Sequence, residues 1–270
     1  MKFDSSLYFI TDSTGYSEEE FLFRVEQALQ GGVTLLQLRE KGKTTKEYIE
    51  LAEKVHNIAM QYGVPLIIDD RVDVALAIDA EGVHLGATDM SVKTARKILG
   101  AEKIIGATAK TVPWAIDEYN QGADYLGVGA IFPTTTKVIT VLTSTETLND
   151  ICSTVPIPVN AIGGLNKTNI EVLSGIPIEG ICVVSAIMKA ASEESTSWYA
   201  PSCNVALKSV HGYPARTPVS FASSKPFSTP GTYSFGTDPP TTSLANSKPD
   251  PGGNGSNLIF GKKMERYRTK

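Results

Sequence analysis

The stretch Val33-Thr34-Leu35-Leu36-Gln37-Leu38-Arg39-Glu40-Lys41 joins an apolar run directly to three charged residues of alternating sign. The run is too continuous for a strand with one face in water and is typical of a strand covered on both faces. Gln37, Arg39 and Lys41 share one face, because side chains on a strand alternate with a period of two. In a closed barrel that face can be the lumen.

Apolar runs of this kind recur along the first part of the chain, and eight can be counted. They predict strands at Leu7–Thr11, Val33–Arg39, Val64–Asp69, Val83–Gly86, Ile104–Thr108, Tyr125–Ile131, Pro158–Gly163 and Ile181–Ser185. Helical patterns alternate with them, which predicts a (β/α)8 TIM barrel over residues 1–190. A doubly wound open sheet is the alternative, but no GxGxxG follows the first strand.

Helix boundaries also leave a signal in the sequence. Three capping-box patterns predict helix starts, at Ser17-x-x-Glu20, Thr44-x-x-Glu47 and Thr143-x-x-Glu146. Glycines at Gly31-Gly32 and at Gly100 predict helix ends.

The composition changes near residue 190. Residues 191–270 are rich in Ser, Thr, Pro and Gly, as in Lys248-Pro249-Asp250-Pro251-Gly252-Gly253. Such a segment buries too little apolar surface to offset the entropy of ordering, so we expect a disordered tail or one foreign to the barrel. A barrel of this kind should end in a helix that covers its first and eighth strands, and the sequence after Ala190 does not predict one.

Charge and cysteine usage exclude several classes of protein. The formal net charge is −4, with no block of lysine or arginine before the last residues, which argues against nucleic-acid and membrane partners and leaves small polyanions. Cys152, Cys182 and Cys203 are widely spaced, so we expect reduced thiols in a cytoplasmic protein and no zinc site. We expect neither a secretory signal at residues 1–6 nor a membrane-spanning segment.

Enzymes with this barrel place their chemistry on the loops that follow the strands. Polar residues of functional type follow seven of the eight predicted strands, at Arg39-Glu40-Lys41, Asp69-Asp70-Arg71, His84 to Asp89, Thr108, Pro133 to Lys137, Gly163-Gly164 and Ser185. An isolated pair such as Arg39 and Lys41 is more often part of a solvated loop. At a barrel mouth, however, two cations would suit a phosphate-bearing ligand.

Asp70 and Asp89 follow adjacent strands beside these cations. Two carboxylates there form a candidate Mg²⁺ site, because this ion takes one or two carboxylates plus waters and substrate phosphates. Each also has a structural interpretation: Asp70 could begin a short helix over Val72–Ile78, and Asp89 precedes Ser91, a good N-cap. His84 is interpreted as a packed strand-end histidine, because no acid or nucleophile is spaced to act with it.

Hydroxyl and backbone donors follow the last three strands. Thr134-Thr135-Thr136-Lys137 could bind an anion, although an ordinary polar loop is equally expected. Gly163-Gly164 and Val184-Ser185 lie where such barrels often bind phosphate through backbone N–H groups. A glycine pair alone is a weak signal, because any tight turn can use one.

Taken in order, these motifs resemble those of the thiamine-phosphate synthase family. The resemblance covers residues 7 to about 190 and rests on Gln37 to Lys41, Asp70 to Ala75, Gly82 to Gly86 with Asp89, Pro133 to Lys137, Ala161 to Gly164 and Val184 to Ile187. It implies a magnesium-dependent transferase of thiamine biosynthesis. The implied reaction condenses 4-amino-2-methyl-5-hydroxymethylpyrimidine diphosphate with a thiazole phosphate: diphosphate leaves first, and the thiazole nitrogen captures the pyrimidine methylene cation.

The resemblance also implies a role for each matching residue. The pyrimidine diphosphate would be bound by Gln37, Leu38, Arg39, Glu40, Lys41, Asp69, Thr108 and Lys137, of which Arg39, Lys41 and Lys137 would act in catalysis. The thiazole phosphate would be bound by Thr134, Thr135, Thr136, Gly164, Val184 and Ser185. Mg²⁺ would be held by Asp70 and Asp89.

Some positions depart from the family pattern. Asp69 stands where asparagine is common and adds a charge that a diphosphate would repel. Thr108 replaces a frequent serine, and Ala87 stands where glutamine is frequent. Residues 138–142 lack the glycine or charge expected of a mobile lid.

Two other functions stay open at this point. A related thiazole tautomerase would share the barrel and the phosphate site, but an isomerase has no diphosphate to bind with paired aspartates and lysines. A catalytically silent barrel that binds a phosphate ligand is the second alternative, motivated by Asp69 and by the altered tail.

Overall fold

The computed structural model describes residues 3–134 and 141–189. Eight parallel strands close into a barrel in chain order, with the last strand paired to the first. The strands are β1 (Leu7–Ile10), β2 (Leu35–Leu38), β3 (Leu66–Asp69), β4 (Gly82–Leu85), β5 (Ile104–Ala109), β6 (Tyr125–Gly129), β7 (Val159–Ile162) and β8 (Gly180–Val183). The predicted TIM barrel is confirmed, and the closed order excludes the open sheet.

Helices cover the outside of the barrel. They are α1 (Glu18–Gln30), α2 (Thr45–Gln61), α3 (Val72–Ala77), α4 (Val92–Leu99), α5 (Val112–Gln121), α6 (Thr145–Thr154) and α7 (Ser185–Met188), with a 3₁₀ turn over Ile170–Leu173 between β7 and β8. The predicted ends at Gly31 and Gly100 are confirmed as the C-caps of α1 and α4.

Two of the three predicted helix starts are confirmed. Ser17 caps α1, and Thr44 caps α2 through the full capping box with Glu47. The third is wrong by one residue, because the Ser144 hydroxyl caps α6. Thr143 is instead buried, and its backbone N–H donates a hydrogen bond to the carbonyl of Ala130. That bond fixes Thr143 to the end of β6, so the helix starts one residue later.

Strand side chains alternate between two apolar layers. Outward-facing residues such as Leu36, Leu38 and Ile68 pack in the larger layer beneath the helices. Inward-facing residues form a separate cluster in the lumen, made of Tyr8, Ile10, Leu35, Ile67, Ile104, Tyr125 and Cys182. This alternation decides which polar residues at the strand ends face the lumen.

Two inward-facing glycines make room for rings that project from other strands. A Cβ atom on Gly106 would lie 2.0 Å from Cζ of Tyr125, and one on Gly127 would lie 3.3 Å from Cε1 of His84. The Tyr125 ring therefore occupies the space into which a side chain on β5 would project.

The amino end of the lumen is closed by a buried polar pair. Asn160 Nδ2 donates to the Ser5 carbonyl at 2.7 Å, and the Ser5 hydroxyl donates to Asn160 Oδ1 at 3.1 Å. Both residues are fully buried. A ligand would therefore approach the lumen from the carboxyl ends of the strands.

Several expectations fall on other parts of the chain. Among the described residues, none of the helices combines the length and the apolar character needed to cross a membrane. Cys152 is partly buried and Cys182 is buried, and the described residues contain no disulfide. Cys203, the tail at 191–270 and the loop at 135–140 lie outside the described residues.

Candidate functional site

The carboxyl ends of the strands bring most of the predicted site residues to one face. Those described are Gln37, Arg39 and Lys41 at β2, Asp69 and Asp70 at β3, Asp89 after β4, Thr108 on β5, Thr134 after β6, Gly164 after β7, and Val184 and Ser185 after β8. Thr135, Thr136 and Lys137 lie outside the described residues.

Both cations of the opening stretch face one buried carboxylate. Lys41 Nζ lies 3.0 Å from Oδ2 of Asp69, and Arg39 Nε lies 3.6 Å from the same oxygen. Lys41 also contacts the carboxylate of Asp70. The Lys41 side chain is 50% exposed, whereas that of Asp69 is 9% exposed. The carboxylate of Asp69 thus holds both cations in place, and they remain accessible from the open end of the barrel.

Burial and charge act against each other in this group. Burial and, after it, the charge of Asp70 raise the pKa of Asp69 to about 6, although Lys41 and Arg39 oppose the shift. Burial acts to lower the pKa of Lys41, but the carboxylates of Asp69 and Asp70 outweigh it, so this pKa is raised. Lys41 therefore stays an ammonium ion at neutral pH.

Asp70 and Asp89 form a carboxyl pair joined by a side-chain hydrogen bond. Burial, followed by the bond to Asp70, raises the pKa of Asp89. Burial acts to raise the pKa of Asp70 as well, but hydrogen bonds from Lys41 and Asp89 outweigh it, and this pKa is lowered. Asp89 Oδ2 also accepts from the backbone N–H of Gly86 at 2.8 Å.

This pair fits the donor set of a magnesium ion. The charge of Asp70 acts to raise the pKa of Asp89, and a divalent cation between the two carboxylates would relieve this repulsion between like charges. The described residues contain no cluster of three or more His, Cys, Asp or Glu side chains suited to a metal. Two carboxylates, completed by water and phosphate oxygens, are the protein contribution that Mg²⁺ commonly uses.

Five polar side chains form one hydrogen-bonded chain across the lumen, which we call the lumen relay. Gln37 Nε2 donates to Tyr8 Oη at 2.6 Å, and Tyr8 Oη lies 2.7 Å from Tyr125 Oη. Tyr125 Oη lies 3.1 Å from His84 Nδ1, and His84 Nε2 lies 3.1 Å from Thr108 Oγ1. The relay joins two predicted site residues, Gln37 and Thr108. It does so through His84, which was interpreted as a packed strand-end histidine, and through two tyrosines for which no role was predicted.

The three missed residues have different sequence signals. His84 is two residues beyond Gly82 on β4, so the period of two would have directed it inward like Gln37. Tyr8 and Tyr125 lie within apolar runs, where an aromatic residue normally indicates only packing. Their hydroxyl groups become informative only when the barrel is closed.

Two other residues of the opening stretch face away from the lumen. Leu38 is fully buried in the layer beneath the helices, and its carbonyl accepts from Tyr48 Oη at 2.7 Å. Glu40 Oε2 accepts from the Ser13 hydroxyl at 2.8 Å, and burial raises the pKa of Glu40. An open cavity of about 310 Å³ lies beside this bond, between residues 12–14 and 39–43.

The loops after β6 and β7 pack closely together. Gly163 and Gly164 have φ values of 103° and 65°, in the left-handed region. The backbone N–H of Phe132 donates to the Gly163 carbonyl at 3.0 Å, and a Cβ on Gly164 would lie 2.7 Å from the carbonyl oxygen of Pro133. This contact brings Gly164 next to the loop that carries Thr134.

Comparisons with known proteins show which family the chain resembles. A family model described as thiamine monophosphate synthase matches residues 7–187. Thiamine-phosphate synthase 2 of Streptococcus pneumoniae serotype 4 is 53% identical over 189 residues, which are 70% of this chain and 90% of that protein. Thiamine-phosphate synthase of Enterococcus faecalis is 51% identical over 184 residues, which are 68% of this chain and 87% of that protein.

A solved structure is similar over nearly its whole length. Thiamine phosphate pyrophosphorylase from Pyrococcus furiosus superposes with a TM-score of 0.66 at 36% sequence identity. The match covers 77% of this chain and 96% of that one.

Proposed function

Because this chain belongs to the thiamine-phosphate synthase family, whose members are transferases of thiamine biosynthesis, we propose that it joins 4-amino-2-methyl-5-hydroxymethylpyrimidine diphosphate to a thiazole phosphate and releases pyrophosphate, with Mg²⁺ as cofactor. One observation carries the finer part of this proposal. Arg39 and Lys41 lie beside the Asp70–Asp89 carboxyl pair, at the open end of the lumen that contains the lumen relay.

Arg39 and Lys41 bind the diphosphate in this proposal. Their charges are held in place by Asp69, and the exposed half of Lys41 leaves N–H donors for phosphate oxygens. Lys137 adds a third cation on the strength of the family resemblance. Gln37 and Thr108, at the two ends of the lumen relay, bind the pyrimidine ring.

Asp70 and Asp89 hold the magnesium ion. Both carboxyl groups lie beside the diphosphate cations, and Lys41 contacts Asp70 directly. When bound, Mg²⁺ supplies positive charge that stabilises the diphosphate as a leaving group.

The thiazole phosphate binds on the opposite side of the mouth. Gly164, Val184 and Ser185 offer backbone N–H groups and a hydroxyl at the ends of β7 and β8. The Thr134-Thr135-Thr136 run would complete the site, and the packing of Gly164 against the loop before Thr134 supports a shared pocket.

Catalysis then needs no nucleophilic side chain. Arg39 and Lys41 donate hydrogen bonds to the diphosphate oxygens as negative charge builds up on these oxygens. The side chains of the lumen relay hold the pyrimidine ring in line with the thiazole nitrogen. Diphosphate leaves first with the electron pair of the broken C–O bond, and the thiazole nitrogen then captures the pyrimidine methylene cation. The work of the protein is charge stabilisation and alignment.

The partners and location follow from the substrates. Both are small, charged phosphate compounds, which do not cross a bilayer unaided. We therefore place the reaction in the cytoplasm, with neither nucleic acid nor membrane as a partner.

Release of pyrophosphate from the two substrates by the full chain, with Mg²⁺ and with a chelator, tests the proposal. We expect turnover only with the metal, and a loss of about 100-fold or more in Asp70→Asn. Asparagine is the suitable replacement, because Asp70 has a φ of 62° and asparagine tolerates left-handed backbone.

A matched control is Asp117→Asn on the exposed face of α5, which should behave as wild type. Calorimetric titration with Mn²⁺ should show binding to the wild type and to Asp117→Asn but not to Asp70→Asn. Full activity of Asp70→Asn would remove the metal assignment. Binding of the thiazole phosphate without any release of pyrophosphate would instead support a silent barrel.

A further inference from the structure

Asp69 competes with any incoming anion for the cations at the open end of the barrel. Its Oδ2 lies 3.0 Å from Lys41 Nζ and 3.6 Å from Arg39 Nε. Its side chain is only 9% exposed, so little water can take the place of a cation that a ligand draws away. A buried carboxylate that loses its cationic partners is costly, so a diphosphate has to share both cations with Asp69.

The charges around these cations do not favour a polyanion. Arg39 and Lys41 are opposed by three carboxyl groups, those of Asp69, Asp70 and Asp89. When all three are ionised, the negative charges outnumber the positive ones, and Lys137, the third cation of the proposed function, would only balance them. A diphosphate that arrives without a metal is therefore not attracted by this end of the barrel as a whole.

Two further cations of the same loops also face carboxylates. Arg71 forms an ion pair with Asp73 at an N–O distance of 2.5 Å. The charge of Lys43 acts on the carboxylates of Glu40 and Glu47. Neither cation is therefore placed to offset the charge of Asp69.

A divalent cation at Asp70 and Asp89 would reverse this balance. The open end of the barrel would then carry a net positive charge without any change at Asp69. Lys41, whose side chain is 50% exposed, could donate to a phosphate oxygen and still keep its contact with the buried carboxylate. Sharing of the cations then becomes possible.

We propose that Asp69 determines which form of diphosphate this site accepts: its carboxylate excludes a metal-free diphosphate and admits the magnesium-bound one. An ionised carboxylate has only acceptors, so Asp69 acts on the diphosphate through Arg39 and Lys41 and is a positioning residue. The inference rests on the proposed function and deepens it, since it says in which ionic form the pyrimidine diphosphate binds.

Binding of inorganic pyrophosphate measures this selection without turnover. The full chain is titrated by calorimetry at pH 8, where Asp69, with a pKa of about 6, is ionised. One titration contains a chelator and the other contains excess Mg²⁺. We expect the wild type to bind pyrophosphate at least about 100-fold more tightly with the metal, because the two ligands are coupled through charge.

Asp69→Asn keeps the size of the side chain and removes its charge. It should bind metal-free pyrophosphate at least about tenfold more tightly than the wild type does, because Arg39 and Lys41 no longer face a competing anion. The gain should be smaller for the magnesium complex, which carries less negative charge. The ratio between the two affinities should therefore fall about threefold or more.

A second variant separates the lost charge from the gained donor. The amide of Asp69→Asn could itself donate to pyrophosphate, whereas Asp69→Ala has neither a charge nor a donor. Both variants should bind metal-free pyrophosphate more tightly than the wild type does. The matched control is Asp117→Asn, which removes an exposed carboxylate on α5 and should keep both wild-type affinities.

The outcomes separate this inference from the proposed function. Unchanged metal-free affinity in Asp69→Asn, or a gain in this variant but not in Asp69→Ala, would overturn the role of Asp69. Equal affinity of the wild type with and without metal would do the same. None of these results would affect the synthase reaction, which is tested by pyrophosphate release from the two substrates. A wild type that fails to bind pyrophosphate even with Mg²⁺ would contradict the diphosphate site itself, and the inference with it.

Discussion

Lys41 Nζ lies 3.0 Å from Oδ2 of Asp69, so a half-exposed cation at the mouth is held by a nearly buried carboxylate. The same carboxylate is 3.6 Å from Arg39. The buried carboxylate of Asp69 therefore orients both cations that are proposed to bind the diphosphate. Asp69 is not one of the two proposed metal ligands.

Removing either cation should affect one substrate far more than the other. We expect Lys41→Ala and Arg39→Ala to raise KM for the pyrimidine diphosphate by about 10- to 100-fold, because a hydrogen bond to a charged group contributes about 1.5–3 kcal/mol. KM for the thiazole phosphate should change little. Steady-state kinetics with each substrate varied in turn checks this, and Lys46→Ala, on the exposed face of α2, is the matched control. Equal effects on both KM values would contradict the assignment.

Asp69 should make the stability of the fold depend on pH. Its pKa rises from an ordinary value of 3.8 to about 6 in the folded protein. Between these values the folded state binds more protons than the unfolded chain, so stability falls as pH rises through this window, by about 3 kcal/mol at most. Asp69→Asn should flatten that part of the curve and raise the free energy of unfolding at pH 7.

Urea unfolding at several pH values, with a chelator present, measures the effect of Asp69→Asn. The exposed carboxylate of Asp117 provides the control through Asp117→Asn, whose curve should parallel the wild type. A curve for Asp69→Asn that also parallels the wild type would show that Asp69 does not titrate in this range.

Gly164 should be sensitive for two separable reasons. Both Gly164 and Gly175 have positive φ values, 65° and 84°, but a Cβ on Gly175 would meet nothing within 4 Å. Gly175→Ala should therefore cost only the left-handed strain, about 1–2 kcal/mol, and leave the kinetics unchanged. Gly164→Ala adds a collision with Phe132 and Pro133, so we expect a larger loss of stability and a rise of about tenfold in KM for the thiazole phosphate. Identical behaviour of the two variants would argue against a role for this contact.

The bond between Ser13 and Glu40 should stabilise the loop that carries the cations. Glu40 Oε2 accepts from Ser13, while its Oε1 is a buried oxygen with no hydrogen-bond partner among the residues described. Ser13→Ala should lower the free energy of unfolding by about 1 kcal/mol, the usual effect of losing such a bond. Thr14→Ala, an exposed hydroxyl in the same loop, should have no effect in the same urea titration. Equal stability of the two variants would show that the bond does not matter.

The fold was predictable because burial on both faces leaves a direct trace in the sequence. Each of the eight predicted strands is present, with ends shifted by at most two residues. The opening stretch also gave the correct face for Gln37, because the period of two does not depend on tertiary detail. The start of α6 was missed because Thr143 and Ser144 are both good capping residues, and only the bond to Ala130 decides between them.

The site was harder to predict where its groups meet across the barrel. Candidate residues at strand ends could be predicted one strand at a time, as with Asp70 and Asp89. The lumen relay could not, because Tyr8 and Tyr125 are 117 positions apart and look like core residues until their hydroxyl groups meet. The two hydroxyl groups meet only when the barrel closes, so no local sequence pattern predicts their contact.

The hydrogen-bonded side chains of the lumen also limit which substitutions this barrel can accept. A lumen filled with branched aliphatic side chains can absorb single substitutions by repacking. Here the ring of Tyr125, on the next strand, fills the space beside Gly106, and its hydroxyl group belongs to the lumen relay. Libraries that vary one lumen position at a time should therefore contain few active members. New ring preferences would require several substitutions at once that restore the hydrogen bonds of the lumen relay. The side chains of the lumen would therefore have to change together.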